Sequence, residues 1–175
     1  QDVVIVTVDE RSLAERGRWP WGRRLQAELI ARILEGEPRV LAVDVFYAEP
    51  EGAEADEALA AVLARGRART VTALGVEVES GRRYAGELPD AIYDQALQRV
   101  ENVSLLWPVK ASALFLPPEP ILEAGRFGHV YALPDRDGKL RWETLYLQVG
   151  DELLPSLALR AAAVAAGVAL GEIRV

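Results

Sequence analysis

The chain has 175 residues, half of them apolar, with a formal net charge of −7, one histidine, no cysteine and no methionine. That length is enough to bury one good core, and the charged fraction is that of an ordinary globular domain. The acidic balance argues against a nucleic-acid surface, which needs a clustered positive excess, and the missing cysteines exclude disulfides, thiolate metal sites and thiol nucleophiles.

The first apolar run, residues 3–8, reads as a buried strand. It feeds a charged loop that carries Trp19-Pro20-Trp21. Pro20 suits the first position of a helix, where no backbone donor is needed. After it, Trp21, Leu25, Leu29 and Ile33 recur at helical spacing, which predicts a helix over residues 21–34 that stops near Gly36, ahead of Pro38. A second apolar strand is expected at residues 40–46, and strand, helix and strand together predict a right-handed parallel crossover. Each strand ends near an aspartate, Asp9 or Asp44. Ligands of open parallel sheets usually bind at the carboxyl ends of strands, so Asp9, Asp44, Trp19, Trp21 and Arg23 form one candidate rim. Phe46 and the sole histidine, His129, complete the candidate ligand-binding set.

The charge of this stretch is unusual. Arg23 and Arg24 open the helix, with Arg16 and Arg18 upstream, although a helix N-terminus favours acids. Three explanations are open: the cations are solvated, they meet acids from elsewhere in the fold, or they form a site for an anion. The first two are the commoner, because arginine is mostly a surface residue.

Further along, residues 56–65 predict a helix with acids first and Arg65 last, and residues 70–78 a strand that ends at a Ser80-Gly81 turn. Residues 82–89 read as loop or a short returning strand. Asp90 caps a helix bearing Ile92, Tyr93, Ala96, Leu97 and Val100, and a strand over residues 103–107 stops at Pro108. Pro117, Pro118 and Pro120 make a rigid connector into a short helical turn ending at Gly125. Two strand-like runs, residues 128–133 and 140–149, flank residues 134–138, where Asp137-Gly138 signals a hairpin turn. A helix opens at Ser156 and runs to Gly167, and residues 168–175 begin another strand. The predicted fold is α/β: a mixed sheet with a parallel N-terminal βαβ unit and an antiparallel C-terminal hairpin, helices packed on the sheet.

Few motifs carry catalytic chemistry. A phosphohydrolase of the haloacid dehalogenase type needs Asp-x-Asp-x-Thr at a strand end, and Thr7 and Arg11 occupy two of those positions around Asp9. A divalent metal between Asp9 and Asp44 suits oxygen ligands, but the nearby arginines make structural ion pairs the commoner outcome. Residues 135–138 begin like a calcium loop yet lack its later ligands. With one histidine there is no zinc pair, no Gly-x-Ser-x-Gly elbow supplies a nucleophile, and no Gly-x-Gly-x-x-Gly follows the first strand. No cofactor and no metal are expected. His129 reads as a strand residue with one satisfied hydrogen bond, or as a pH sensor titrating near neutrality.

Taken in order, Val4-Ile5-Val6-Thr7-Val8-Asp9-Glu10-Arg11-Ser12-Leu13, Gly17-Arg18-Trp19-Pro20-Trp21-Gly22-Arg23, Ala42-Val43-Asp44-Val45-Phe46, Gly128-His129-Val130, the run from Asp135 to Arg141 and Pro155-Ser156-Leu157-Ala158 resemble the type 2 CHASE domains. These are extracellular sensory domains associated with bacterial cyclases and histidine kinases. The resemblance covers most of the chain, and its most specific part is Gly-Arg-Trp-Pro-Trp. Two features depart from the family: Thr7 replaces the first acid of its usual Asp-x-Asp, and the family domain runs on past Val175. The segment therefore either lacks part of the sheet or is a shortened member.

The resemblance implies a single extracytoplasmic sensory domain over residues 1–175 of a bacterial membrane receptor, without enzymatic activity. Its partners are then an unknown small ligand, its own transmembrane helices and a cytoplasmic output domain, with a homodimer as an option and no nucleic acid. The absence of a starting methionine is read as an excised segment. The longest apolar run, residues 157–170, contains Arg160 and falls short of the roughly 20 residues a spanning helix needs. A dimerisation or docking module without a small ligand is the alternative, and a metal-dependent phosphohydrolase the remote one.

Overall fold

A computed structural model describes residues 3–97 and 108–173. Its first element is a short helix, α1 (Glu10–Arg16), capped by Asp9, whose carboxylate accepts from the Ser12 amide at 2.9 Å and the Ser12 hydroxyl at 2.7 Å. Residues 3–8 do not form the expected strand. They lie in no strand among the described residues and are exposed, with Val3, Val4 and Ile5 at 72%, 75% and 81% exposure. An apolar β-branched run states a preference for a sheet, but a strand exists only beside an edge that accepts its ladder bonds.

Helix α2 (Arg23–Glu35) forms, but the face it buries is Arg23, Gln26, Ala27 and Ile30; of the residues expected there, Trp21 lies ahead of the helix, and Leu25, Leu29 and Ile33 are only half-buried. It begins two residues later than Trp21, after Gly22 as N-cap, so Pro20 lies in the preceding turn and not in the helix; the Trp19–Pro20 peptide bond is cis. Strand β1 (Leu41–Val43) is followed by α3 (Ala53–Gly66) and β2 (Thr70–Glu77), and β1 pairs with β2 in parallel, Leu41 opposite Thr70. The parallel βαβ unit is therefore present, built from β1, α3 and β2 and not from residues 3–8, α2 and β1. A turn of helix, α4 (Asp90–Tyr93), follows the loop at residues 82–89, whereas the expected strand over residues 103–107 lies outside the described residues.

Strands β3 (Val109–Lys110) and β4 (Ala113–Phe115) lead through the proline connector into α5 (Glu119–Ala124), which ends at Gly125 as expected. Strand β5 (Phe127–His129) then pairs in parallel with β2, Thr72 opposite Phe127. Residues 128–133 are thus not half of a hairpin. The turn at residues 135–138 does form, with Gly138 N donating to Asp135 O at 2.8 Å, but the flanking residues 140–145 stay out of any strand and expose Leu140 and Trp142. The antiparallel hairpin comes one turn later, between β6 (Tyr146–Val149) and β7 (Glu152–Pro155), where both strands have a buried face. β6 also pairs in parallel with β3. Finally α6 (Leu157–Ala166) opens on Ser156, whose hydroxyl accepts from Leu159 N at 3.1 Å, and closes on Gly167 in the left-handed region. Residues 170–172 form a 3₁₀ turn in place of the expected last strand. No described helix is long and apolar enough to cross a membrane.

The result is a mixed α/β architecture whose sheet has β2 in its middle, hydrogen-bonded to β1, β5 and, antiparallel, β4. Alternation along β2 assigns the faces. Leu74, with Phe127 of β5, joins the core built with Ala27 and Ile30 of α2, Leu59 and Leu63 of α3, and Ile121 of α5. Gly128 faces the other way and lies against α6: a Cβ there would stand 2.6 Å from the Leu157 backbone. Only glycine lets the helix start this close to the sheet.

Candidate functional site

Arg23 shows how the charge conflict at the α2 N-terminus is resolved. Its guanidinium, 9% exposed, donates from Nε to the Asp56 carboxylate of α3 at 3.2 Å and from Nη2 to the Glu49 carbonyl at 2.6 Å. It also lies over the Tyr47 ring, 4.7 Å from its centre. Its backbone N–H, an orphan donor of the first helical turn, is taken by the Glu51 carboxylate at 2.9 and 3.1 Å. Gly22 permits this approach, since a Cβ there would meet Glu51 Oε1 at 3.0 Å. Arg24 pairs with Glu54 at 2.6 Å. For Arg23 and Arg24 the second of the three explanations holds, since they meet acids from elsewhere in the fold, whereas Arg16 and Arg18 are exposed.

Tyr47 is buried beneath Arg23, and burial pushes its phenol up to about 12, against the opposing pull of the Arg23 charge. Trp19 and Trp21 stack edge to face, their centroids 5.8 Å apart at 63°. Trp21 Nε1 donates back to Gly17 O at 3.0 Å, and the Gln26 side chain donates to Trp21 O. The tryptophan loop is tied to itself and to α2, with Trp19 still 42% exposed. Asp9 is committed to capping α1, and the Ser12 hydroxyl and amide hold its carboxyl below the usual range. Asp44 and Phe46 follow β1 on the surface. The hydrogen bonds of the expected rim run within the aromatic loop for Trp21, to Glu49, Glu51 and Asp56 for Arg23, and to Ser12 for Asp9.

His129 ends β5 fully buried. Its Nδ1 accepts from Tyr131 N at 3.3 Å, which leaves the proton on Nε2, and Nε2 has no partner among the described residues. Burial pulls its pKa down to about 4, so the imidazole is neutral near pH 7 and does not titrate there. The reading of His129 as a sensor of near-neutral pH is thereby overturned. Beside it, at the carboxyl end of β5, lies a concavity of about 350 Å³. Ala42 of β1, residues 130–132, Glu143, and Leu157 and Ala158 at the start of α6 complete its wall. This is an open, mostly apolar depression with one carboxylate and one imidazole, in the position where sheets of this kind take ligands.

Among the described residues no group of three or more acids and histidines is close enough to hold a metal ion. The residues that sequence reasoning missed are Tyr47, Glu51 and Asp56. The signal for them was the unexplained pair of arginines at a helix N-terminus. No curated protein and no solved structure matches the chain. The family model of the CHASE2 domain matches residues 1–174, and the chain accordingly belongs to the CHASE2 family of sensory extracellular domains of receptors.

Proposed function

We propose that this chain is the extracytoplasmic signal-input domain of a bacterial transmembrane receptor, which takes up a small ligand and so regulates a cytoplasmic output enzyme such as a nucleotide cyclase or a histidine kinase. The observation that carries the reading is the family match over residues 1–174. The seat favoured for the ligand is the concavity between His129 and the start of α6. Its apolar wall with a single carboxylate suits a small, largely apolar molecule with one or two polar groups. The Trp19–Trp21 loop, Asp9, Asp44 and Phe46 remain surface positions where such a ligand, or a second one, makes further contacts. For the domain to signal, the ligand must bind one of two states more tightly, since equal affinity shifts nothing.

The test is a thermal-shift screen of small molecules on the wild-type chain and on Ala42→Trp, which fills the concavity from the exposed side of β1. A ligand that raises the melting temperature of the wild type and not of Ala42→Trp, and that changes output-enzyme activity in the intact receptor, is the expected result. A ligand whose effect survives Ala42→Trp sinks the assignment of the seat, and one without any effect on output sinks the sensory reading.

One observation favours a second reading, a dimerisation or docking module. Residues 3–8 present five exposed valine and isoleucine side chains on a backbone that pairs with no described strand, which is a liability for an isolated domain. Sedimentation decides: self-association lost on Ile5→Lys, with no small-molecule response, supports docking.

A further inference from the structure

The amino-terminal edge of the sheet formed by β1, β2 and β5 gathers cations that form no ion pair among the described residues. Arg67, at the end of α3, donates from Nη1 to the Glu123 carbonyl at 2.7 Å, and Arg126, just before β5, donates from Nη1 to the Ala68 carbonyl at 3.4 Å. The two side chains cross between the turn entering β2 and the turn entering β5, two segments already joined by Thr72 N donating to Arg126 O at 2.7 Å. Helix α6 packs over both strands and carries a third arginine, Arg160, on its buried side. Arg160 is 8% exposed, and its buried Nε has no acceptor among the described residues. Burial and then the charges of Arg126 and Arg67 pull its pKa down to about 10.

None of the three is in an ion pair with a described residue, although Arg23, the other buried cation among the described residues, has its carboxylate. Acids are not scarce: the chain has 27 against 20 lysines and arginines. Two guanidinium groups fastened to backbone carbonyls and a third without a bond repel one another, and a buried charged donor without an acceptor costs more than an exposed one. A multiply charged oxyanion supplies what the protein omits, bridging planar donors of the kind that fit its oxygens.

We propose that Arg67, Arg126 and Arg160 form a binding site for a phosphate-class oxyanion, either free or as the phosphate of a larger molecule. The site lies at the end of the sheet away from the concavity and does not depend on the sensory reading. It is tested by titrating inorganic phosphate into the wild-type chain, Arg67→Gln and Arg126→Gln by calorimetry, with chloride as control, and by sedimenting each with phosphatidylglycerol vesicles. Arg67 is exposed, so its variant keeps the fold even where an Arg160 variant does not.

Saturable phosphate binding, weakened roughly tenfold or more in each variant, is the expected result. In phosphate-free buffer Arg67→Gln also melts higher than the wild type, because one repelling charge is gone. Vesicle binding that phosphate competes away assigns the oxyanion to a lipid headgroup, and phosphate binding without vesicle binding assigns it to a soluble molecule. No saturable phosphate binding, or equal affinity in wild type and both variants, overturns the site. A rise in melting temperature common to all three proteins is general salt stabilisation and counts as that second outcome.

Discussion

Asp56→Ala removes the carboxylate around which the start of α2 is assembled. Asp56 is 3% exposed and accepts from Arg23 Nε at 3.2 Å, from Glu51 N at 3.2 Å and from Gly52 N at 3.4 Å. Its loss leaves the buried Arg23 charge with one carbonyl, Glu49 O, and the Tyr47 ring as neighbours. Breaking a buried pair on one side typically costs about 3–5 kcal/mol, most of it the uncompensated charge. The two backbone bonds are long and add little. Arg23→Met is expected to cost nearly as much, for the mirror-image reason, but the double variant Arg23→Met with Asp56→Leu leaves no orphan charge. Its loss should fall short of the sum of the singles by about 1–3 kcal/mol. The exposed pair Arg24 and Glu54 is the internal control, and Glu54→Ala should change stability little. The assay is urea denaturation followed by tryptophan fluorescence. An Asp56→Ala loss no larger than that of Glu54→Ala would mean that Arg23 is not held as described, and the placement of α2 on α3 would fall with it.

Three further outcomes follow from single groups. His129 is neutral in the fold with a pKa near 4 against about 6.5 unfolded, so its contribution is whole above pH 6.5, declines as pH falls between the two values and is gone below 4, a loss of roughly 3 kcal/mol. Because it is the only histidine, an NMR titration of the folded chain reads its imidazole directly, and a midpoint near 6.5 would refute its burial. Gly128→Ala places a Cβ 2.6 Å from the Leu157 backbone and should destabilise by about 1–3 kcal/mol or more in the same urea assay; a neutral result would show that α6 stands off β5. Tyr47→Phe removes a buried hydroxyl without a partner among the described residues and keeps the ring under Arg23, so stability is expected to hold or rise by about 1 kcal/mol, and a loss would reveal a hydrogen bond at that oxygen.

What was legible in the sequence was what neighbours decide. The Ser156 cap, the Gly167 stop, the proline connector before α5 and the stop of α2 at Gly36 each rest on residues within a few positions, and each is present at close to its expected bounds. Pairing was not legible. Residues 3–8 and 40–46 look alike as apolar runs, yet only the second finds an edge, because β2 accepts Leu41–Val43 over a helix that begins twelve residues after Leu41. In the same way Asp137-Gly138 does make its turn, closed by Arg141 on Asp135 and Asp137 at 2.7 and 2.8 Å. The residues next to it, 131–134 and 139–145, lie in no strand and none of them is buried, while Glu152–Pro155, where no strand was expected, pairs with Tyr146–Val149.

The candidate site divides along the same line. Arginines at the head of α2 were visible as an electrostatic contradiction, but their answer comes from Glu51, Glu54 and Asp56, between 28 and 33 positions away, and no local pattern points there. The arginine edge was less visible still. Arg67, Arg126 and Arg160 are separated by 59 and 34 positions and become neighbours only once β5 is known to lie beside β2 with α6 across both. The contrast between the two places is chemical. Where the fold buries Arg23, it supplies a carboxylate, a carbonyl and an aromatic face from its own chain. Where it buries Arg160, it supplies two more cations. A chain with acids to spare that leaves such a cluster open gains nothing in stability from it, so the arrangement is better explained by an anion that arrives from outside.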